Sequence, residues 1–188
     1  VTIPEDGDGD AEKRFEDVSI QFMGGAQGGS FFSKIEKGVR HAAEDLGCDV
    51  KISYTGWATD QMTSKFKQMV AAEPDAISIM GHPGLDAYES TLKEAEEKGI
   101  AIHHQNVYMS TENIESRTGV ESGFTGVVDM HTQGYKLGQQ AIDMFDLGEG
   151  DTALVLGVWN KPARAVREKG TYDAFKDAGL TVHQMLSK

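Results

Sequence analysis

The chain has 188 residues, 39% of them hydrophobic and 26% charged, with 22 glycines, four prolines and a formal net charge of −12. These values suit a globular protein with a sizeable core in one or two lobes, and exclude collagen-like or disordered chains. The acidity, spread over a chain without a basic patch, excludes a partner gripped by its phosphate backbone, so no nucleic-acid partner is expected.

A single cysteine, Cys48, excludes an intrachain disulfide and a multi-thiolate metal site; between Gly47 and Asp49 it reads as an inert packed residue. No run approaches the roughly 20 apolar residues of a membrane span, and no charged-then-apolar leader opens the sequence. The expectation is a cytoplasmic protein or a mature form already processed.

Residues 1–17 carry seven acidic side chains among glycines, from Glu5 to Asp17, and read as a solvated tether. Asp6-Gly7-Asp8-Gly9-Asp10 offers a calcium loop as the alternative, but lacks the later bidentate Glu of an EF-hand. From Val18 the pattern is regular. Val18, Ile20, Phe22 and Met23 predict a strand, followed by the glycine-rich turn Gly24-Gly25-Ala26-Gln27-Gly28-Gly29. A helix capped by Ser30 then carries Phe32, Ile35, Val39, Ala42 and Leu46 at three- and four-residue intervals and ends at Gly47. Val50, Ile52 and Tyr54 alternate as a second strand, and Met62, Phe66, Met69 and Val70 stripe a second helix stopped by Pro74.

Residues 76–80 predict a third strand, Gly81-His82-Pro83-Gly84 a loop, and Leu85, Tyr88, Leu92 and Ala95 a third helix closed by Gly99. Residues 100–104 predict a fourth strand. The polar run Met109-Ser110-Thr111-Glu112-Asn113 breaks the rhythm within a passage, 107–128, whose end is a strand at 124–128. Beyond it come a helix from about Met130 to Leu147, a strand at 153–156, a loop 157–162, a helix through Val166, Gly170, Ala174 and Ala178, and a last strand over 181–186. Strand–helix alternation of this kind predicts an α/β fold with a doubly wound parallel sheet. The lobes are expected at 18–106, complete, and at 129–188, cut short.

Ligands on open α/β sheets bind beyond the carboxyl ends of strands, so the loops 24–32, 81–84, 105–108 and 157–162 are where function is expected. The first loop fits neither the dinucleotide fingerprint nor a P-loop. Of Phe31 and Phe32, consecutive in a helix, only one can face the core squarely; both pack inward, or one stays near the mouth. His82 reads as a ligand contact or as an exposed turn histidine. His103 and His104 point to opposite faces of a strand and so cannot share a metal, leaving packing or hydrogen-bonding roles. No G-x-S-x-G, H-E-x-x-H or C-x-x-C pattern occurs, so neither an enzyme nor a metal or cofactor is expected.

The order and spacing of Phe31-Phe32, Ile35-Glu36-Lys37-Gly38, Asp60-Gln61, Lys67-Gln68, Pro74-Asp75-Ala76-Ile77, Glu97-Lys98-Gly99-Ile100 and Arg167-Glu168-Lys169-Gly170 resemble the periplasmic sugar-binding proteins of the ribose and galactose type. The effector domains of lac-repressor-like regulators share that fold. The resemblance covers nearly all of the chain from Val18. It implies two α/β lobes joined by hinge strands, closing on a sugar or polyol and delivering it to the membrane permease of an ABC transporter. It also implies a periplasmic or other extracytoplasmic location, with or without a lipid anchor through an N-terminal segment, the acidic tether being the spacer.

Residue by residue, the resemblance makes Phe31 and Phe32 the aromatics that stack on a sugar ring, Asn106 a hydrogen-bonding partner of hydroxyls, and Arg167 the second-lobe arginine that reaches the cleft. Trp159 and Lys161 would face the same cleft, and His82 stands in the loop after the third strand. Gly28 and Gly29 depart from the pattern, since relatives often place a hydrogen-bonding side chain there. The other reading of the same fold, a sensing domain of a regulator, would need a DNA-binding segment ahead of Val18, where the acidic glycine-rich stretch stands instead.

Overall fold

A computed structural model describes residues 15–160 and 165–187. The acidic segment ahead of Phe15, with its calcium-loop alternative, and Lys161 with Pro162 lie outside those residues. The chain divides into two compact units between Thr125 and Gly126.

The first unit is built from β1 (Ser19–Gly24), α1 (Ser30–Leu46), β2 (Asp49–Tyr54), α2 (Thr59–Ala71), β3 (Ala76–Met80), α3 (Leu85–Glu97), β4 (Ala101–Val107), α4 (Thr111–Thr118) and β5 (Ser122–Val127), whose last two residues cross the division. Its sheet has the order β2-β1-β3-β4-β5, and β1 to β4 run parallel. Both neighbours of β1, β2 and β3, follow it in sequence, so the winding reverses direction at β1. In sheets of this kind that reversal opens a crevice at the carboxyl ends of the strands.

Alternation along β1 divides the core between the two faces. Phe22 meets Phe32 of α1, with ring centroids 6.3 Å apart, while Met23 joins the larger cluster made with Met62, Phe66, Met69 and Val70 of α2, Tyr88 and Leu92 of α3, and Ile114 of α4. Tyr88 is fully buried, yet its hydroxyl donates to the Met80 carbonyl at 3.0 Å, so the ring enters the core without an orphaned polar group. The Pro74-Asp75 motif has a structural use as well. Asp75 accepts from the Ser19 amide at 2.7 Å and the Ser19 hydroxyl at 2.8 Å, tying the start of β3 to the start of β1, and these bonds hold its carboxyl below the usual range.

Two local expectations are corrected. Ser30 does not cap α1: the cap position is Gly29, at φ 79°, and no side chain accepts from the first turn. The polar run after Met109 is no irregular passage but the start of α4, whose Ser110 hydroxyl accepts from the Asn113 amide at 3.2 Å. Its eight residues carry too few apolar positions for periodicity to announce a helix, although the Ser-x-x-Asn spacing suits a cap.

The second unit contains α5 (Met130–Phe145), β6 (Thr152–Gly157), α6 (Val166–Asp177) and β7 (Thr181–Leu186), with β6 and β7 paired in parallel. Asp129 caps α5 by accepting from the Thr132 amide at 2.8 Å. Val155 is buried, while Leu154 and Leu156 on the opposite face of β6 are exposed. The two helices meet through glycines: side chains built at Gly134 and Gly170 would stand 1.8 Å from the Arg167 carbonyl oxygen and 2.1 Å from the His131 carbonyl oxygen.

Candidate binding site

The crevice end of the first sheet is floored by backbone. After β1 the chain runs through Gly24 to Gly29, with Gly28 and Gly29 at φ 76° and 79°, a region closed to most side chains. After β2 the segment Thr55-Gly56-Trp57 folds back on this turn. The Thr55 amide lies 2.9 Å from the Gly25 carbonyl oxygen, the Gly56 amide 2.8 Å from the same oxygen, and the Thr55 hydroxyl donates to Gly24 at 3.0 Å. These bonds tie the two loops to each other.

At this end stand three aromatic rings, one from the start of α1 and two from loops. Phe31 opens α1 and is 56% exposed; its ring centroid is 6.3 Å from that of Trp57, which in turn lies 5.7 Å from the His82 imidazole. Asn106 is the last but one residue of β4, which runs three residues past the expected end at 104 and takes in most of the expected loop 105–108; its φ is 69°, a left-handed conformation that asparagine tolerates better than other side chains, and it stays partly exposed. The buried Gln105 side-chain amide donates across β3 to the Met23 carbonyl at 2.9 Å, fixing the ends of β1 and β4 together.

Phe32 does not share the rim, contrary to the role that the resemblance gave both rings; one ring faces the core and the other stays near the mouth, the second of the two arrangements open to the pair. Phe32 is 2% exposed, tilted against Phe22 and edge-on to Tyr54 at 5.5 Å, with its ring so close over Gly24 that a built side chain there would approach within 2.3 Å. Consecutive helical positions lie about 100° apart, so once Phe32 serves the core Phe31 cannot. Trp57 was not among the residues the sequence pointed to. Gly56-Trp57 directly after an alternating strand was the available signal.

In the second unit, Trp159 follows β6 and donates its indole N–H to the Val155 carbonyl at 3.2 Å, with its ring edge-on to Tyr172 at 6.2 Å. Its polar end is thus already used within the unit. Arg167, in the first turn of α6, lies beside Gln133, Lys136, Leu137 and Gln140 of α5; its Nε is buried and has no partner among the described residues. No group of three or more His, Cys, Asp or Glu among the described residues could hold a metal, and no described helix is long and apolar enough to cross a membrane.

The two strand histidines do point to opposite faces. His103 pairs through Nδ1 with Ser78 at 2.9 Å and through Nε2 with Thr125 at 3.0 Å. His104 is fully buried between Tyr108 and Phe124, and neither of its ring nitrogens reaches a partner at normal hydrogen-bond geometry. Burial, then the neighbouring His103, pulls its pKa down to about 4. A histidine depressed in the folded state stabilises the fold fully above its ordinary value near 6.5, and that stability is lost as pH falls from there toward 4. Stability should therefore drop by on the order of 2 kcal/mol over that interval on account of this ring alone. His104→Phe keeps the aromatic packing and should flatten the loss, as urea midpoints measured from pH 7 to 4 will reveal; parallel curves for the two proteins would refute it.

The periplasmic binding protein domain profile matches residues 20–186. The chain belongs to that family. Solved structures of similar fold include a periplasmic sugar-binding protein from Legionella pneumophila (TM-score 0.75, 20% identity, covering 89% of this chain and 60% of that one). Another is an ABC transporter solute-binding protein from Actinobacillus succinogenes with bound D-allose (0.71, 19%, 90% and 59%). A third is a glucose-galactose binding protein from Geobacillus stearothermophilus (0.72, 18%, 90% and 58%). The chain spans about 60% of the length of these three proteins. No curated protein sequence matches it.

Proposed function

We propose that this periplasmic binding protein captures a sugar or related polyol between two lobes and delivers it to the membrane permease of an ABC transporter, acting outside the cytoplasm and by closure rather than by chemistry. The observation that carries the reading is the rim at the crevice of the first sheet: an exposed phenyl ring, an indole and an imidazole in contact, with the Asn106 amide at the end of the neighbouring strand. A sugar ring has C–H faces and a border of hydroxyls. Aromatic plates match the first and an amide, which both donates and accepts, matches the second.

Family membership and neighbours described as binding allose or glucose and galactose support the same reading. In it, Arg167 and Trp159, and Lys161 with them, supply the second lobe's contacts. The acidic N-terminal stretch serves as a spacer, with or without a lipid anchor ahead of it. The test is calorimetric titration of the full-length protein with D-allose, D-galactose, D-glucose, D-ribose and their alditols. Saturable binding of at least one is expected. Binding of none, with amino acids or other solutes bound instead, would overturn the proposal.

A further inference from the structure

Trp57 combines an unusual backbone conformation with a closely fitted ring. Its φ is 64°, in the left-handed region that bulky side chains rarely adopt, and such outliers persist only where the surroundings hold them. The surroundings here are the bonds from Thr55 and Gly56 to the carbonyls of Gly24 and Gly25. The indole itself is laid flat against Gly25: a side chain built there would come within 2.4 Å of Cε2, 2.5 Å of Cζ2 and 2.6 Å of Cδ2. The ring packs against the core cluster yet remains partly exposed, between Phe31 at an interplanar angle of 38° and His82 at 61°. Gly25 is not among the residues of positive φ, so the backbone does not demand a glycine there; the indole does.

We propose that Trp57 is the specificity-determining residue of this site, selecting ring-form sugars over acyclic polyols with the same hydroxyls. The inference rests on the sugar-binding reading and narrows it. A plate fixed by backbone bonds, set at an angle to a second plate, rewards a ligand that presents one persistent C–H face. A cyclic sugar does so without cost, whereas an alditol must freeze its freely rotating chain to imitate that face. Phe31 lies on a helix start and is more than half exposed, so it is the adaptable member of the pair; Trp57 is the rigid one.

The experiment is a specificity ratio. The full-length wild type, Trp57→Ala, Trp57→Phe and Gly25→Ala are titrated with D-allose, D-galactose, D-glucose and D-ribose, each against its own alditol. For the aldose that binds, Trp57→Ala should weaken affinity by about tenfold and leave the alditol within about twofold, while Trp57→Phe recovers most of the difference. Gly25→Ala, which leaves the indole intact but displaces it, should reproduce the Trp57→Ala ratio and have no further effect when combined with it. Ligand-induced change in indole emission should also fall in Trp57→Phe.

A purely structural Trp57 would lower the melting temperature and shift aldose and alditol affinities together, which would overturn the inference while leaving sugar binding intact. Equal affinity of the wild type for aldose and alditol would overturn it in the same way. If the wild type binds none of the eight probes, the sugar-binding reading itself fails and this inference with it.

Discussion

Gly170→Ala is expected to destabilise the second unit by about 3 kcal/mol, although alanine is the better helix former. The added methyl would stand 2.1 Å from the His131 carbonyl oxygen and 2.7 Å from the Tyr135 amide nitrogen. Both are backbone atoms of α5 and cannot rotate aside, so α5 and α6 must separate. Separation stretches the bonds that cross between them: Thr171 to the Gly134 carbonyl at 2.9 Å, His131 to Asp173 at 2.9 Å, and Tyr135 to Asp177 at 2.8 Å. Overpacking usually costs about 1–3 kcal/mol, and this site lies at the upper end because nothing flexible absorbs the strain.

The helix preference of alanine returns less than about 1 kcal/mol. Urea unfolding followed through Trp159, which reports the second unit, should show an earlier transition than wild type, with the Trp57 signal of the first unit less affected. Gly38→Ala is the control. It lies within α1 with open space around it, so the same substitution there should be neutral or stabilising by up to about 1 kcal/mol. Equal midpoints for Gly170→Ala and wild type would mean that the helices do not meet as described.

Much of this architecture was legible in the residues. The three- and four-residue spacing in α1, α2 and α3 and the alternation in β2 located those elements, and Gly47 ends α1 in the left-handed conformation that its position suggested. What escaped were features set by contacts between distant loops. Trp57 gained its place from Gly25, some thirty residues earlier in the chain, and from bonds between two turns that no local pattern encodes. Gly170 read as one member of a short family motif; only the approach of α5 explains why no larger residue fits. Helix phase already allowed only one of Phe31 and Phe32 to face the core squarely; that it is Phe32 was decided by its contacts with Phe22 and Tyr54, which lie on two other elements.

That separation decides how the aromatic pair should be tested. Phe32→Ala removes a ring that is 2% exposed and in contact with Phe22 and Tyr54 over Gly24, so it should cost about 3–5 kcal/mol of stability in the first unit. Any loss of ligand binding that accompanies it would follow from loosening of the Gly24–Gly29 turn. Phe31→Ala removes a ring that is 56% exposed, and the urea midpoint should move by no more than about 0.5 kcal/mol. Its effect belongs on the ligand: one stacking plate lost from the rim, weakening sugar affinity by about tenfold.

A double substitution would merge the two effects and make an unfolded protein look like a protein without a site, so the two variants must be measured singly. Urea midpoints and calorimetric affinities for each should fall on different axes, stability for Phe32 and affinity for Phe31. A Phe31→Ala protein that binds its sugar as tightly as wild type would remove the phenyl plate from the site and leave Trp57 and His82 as the aromatic contacts of the crevice.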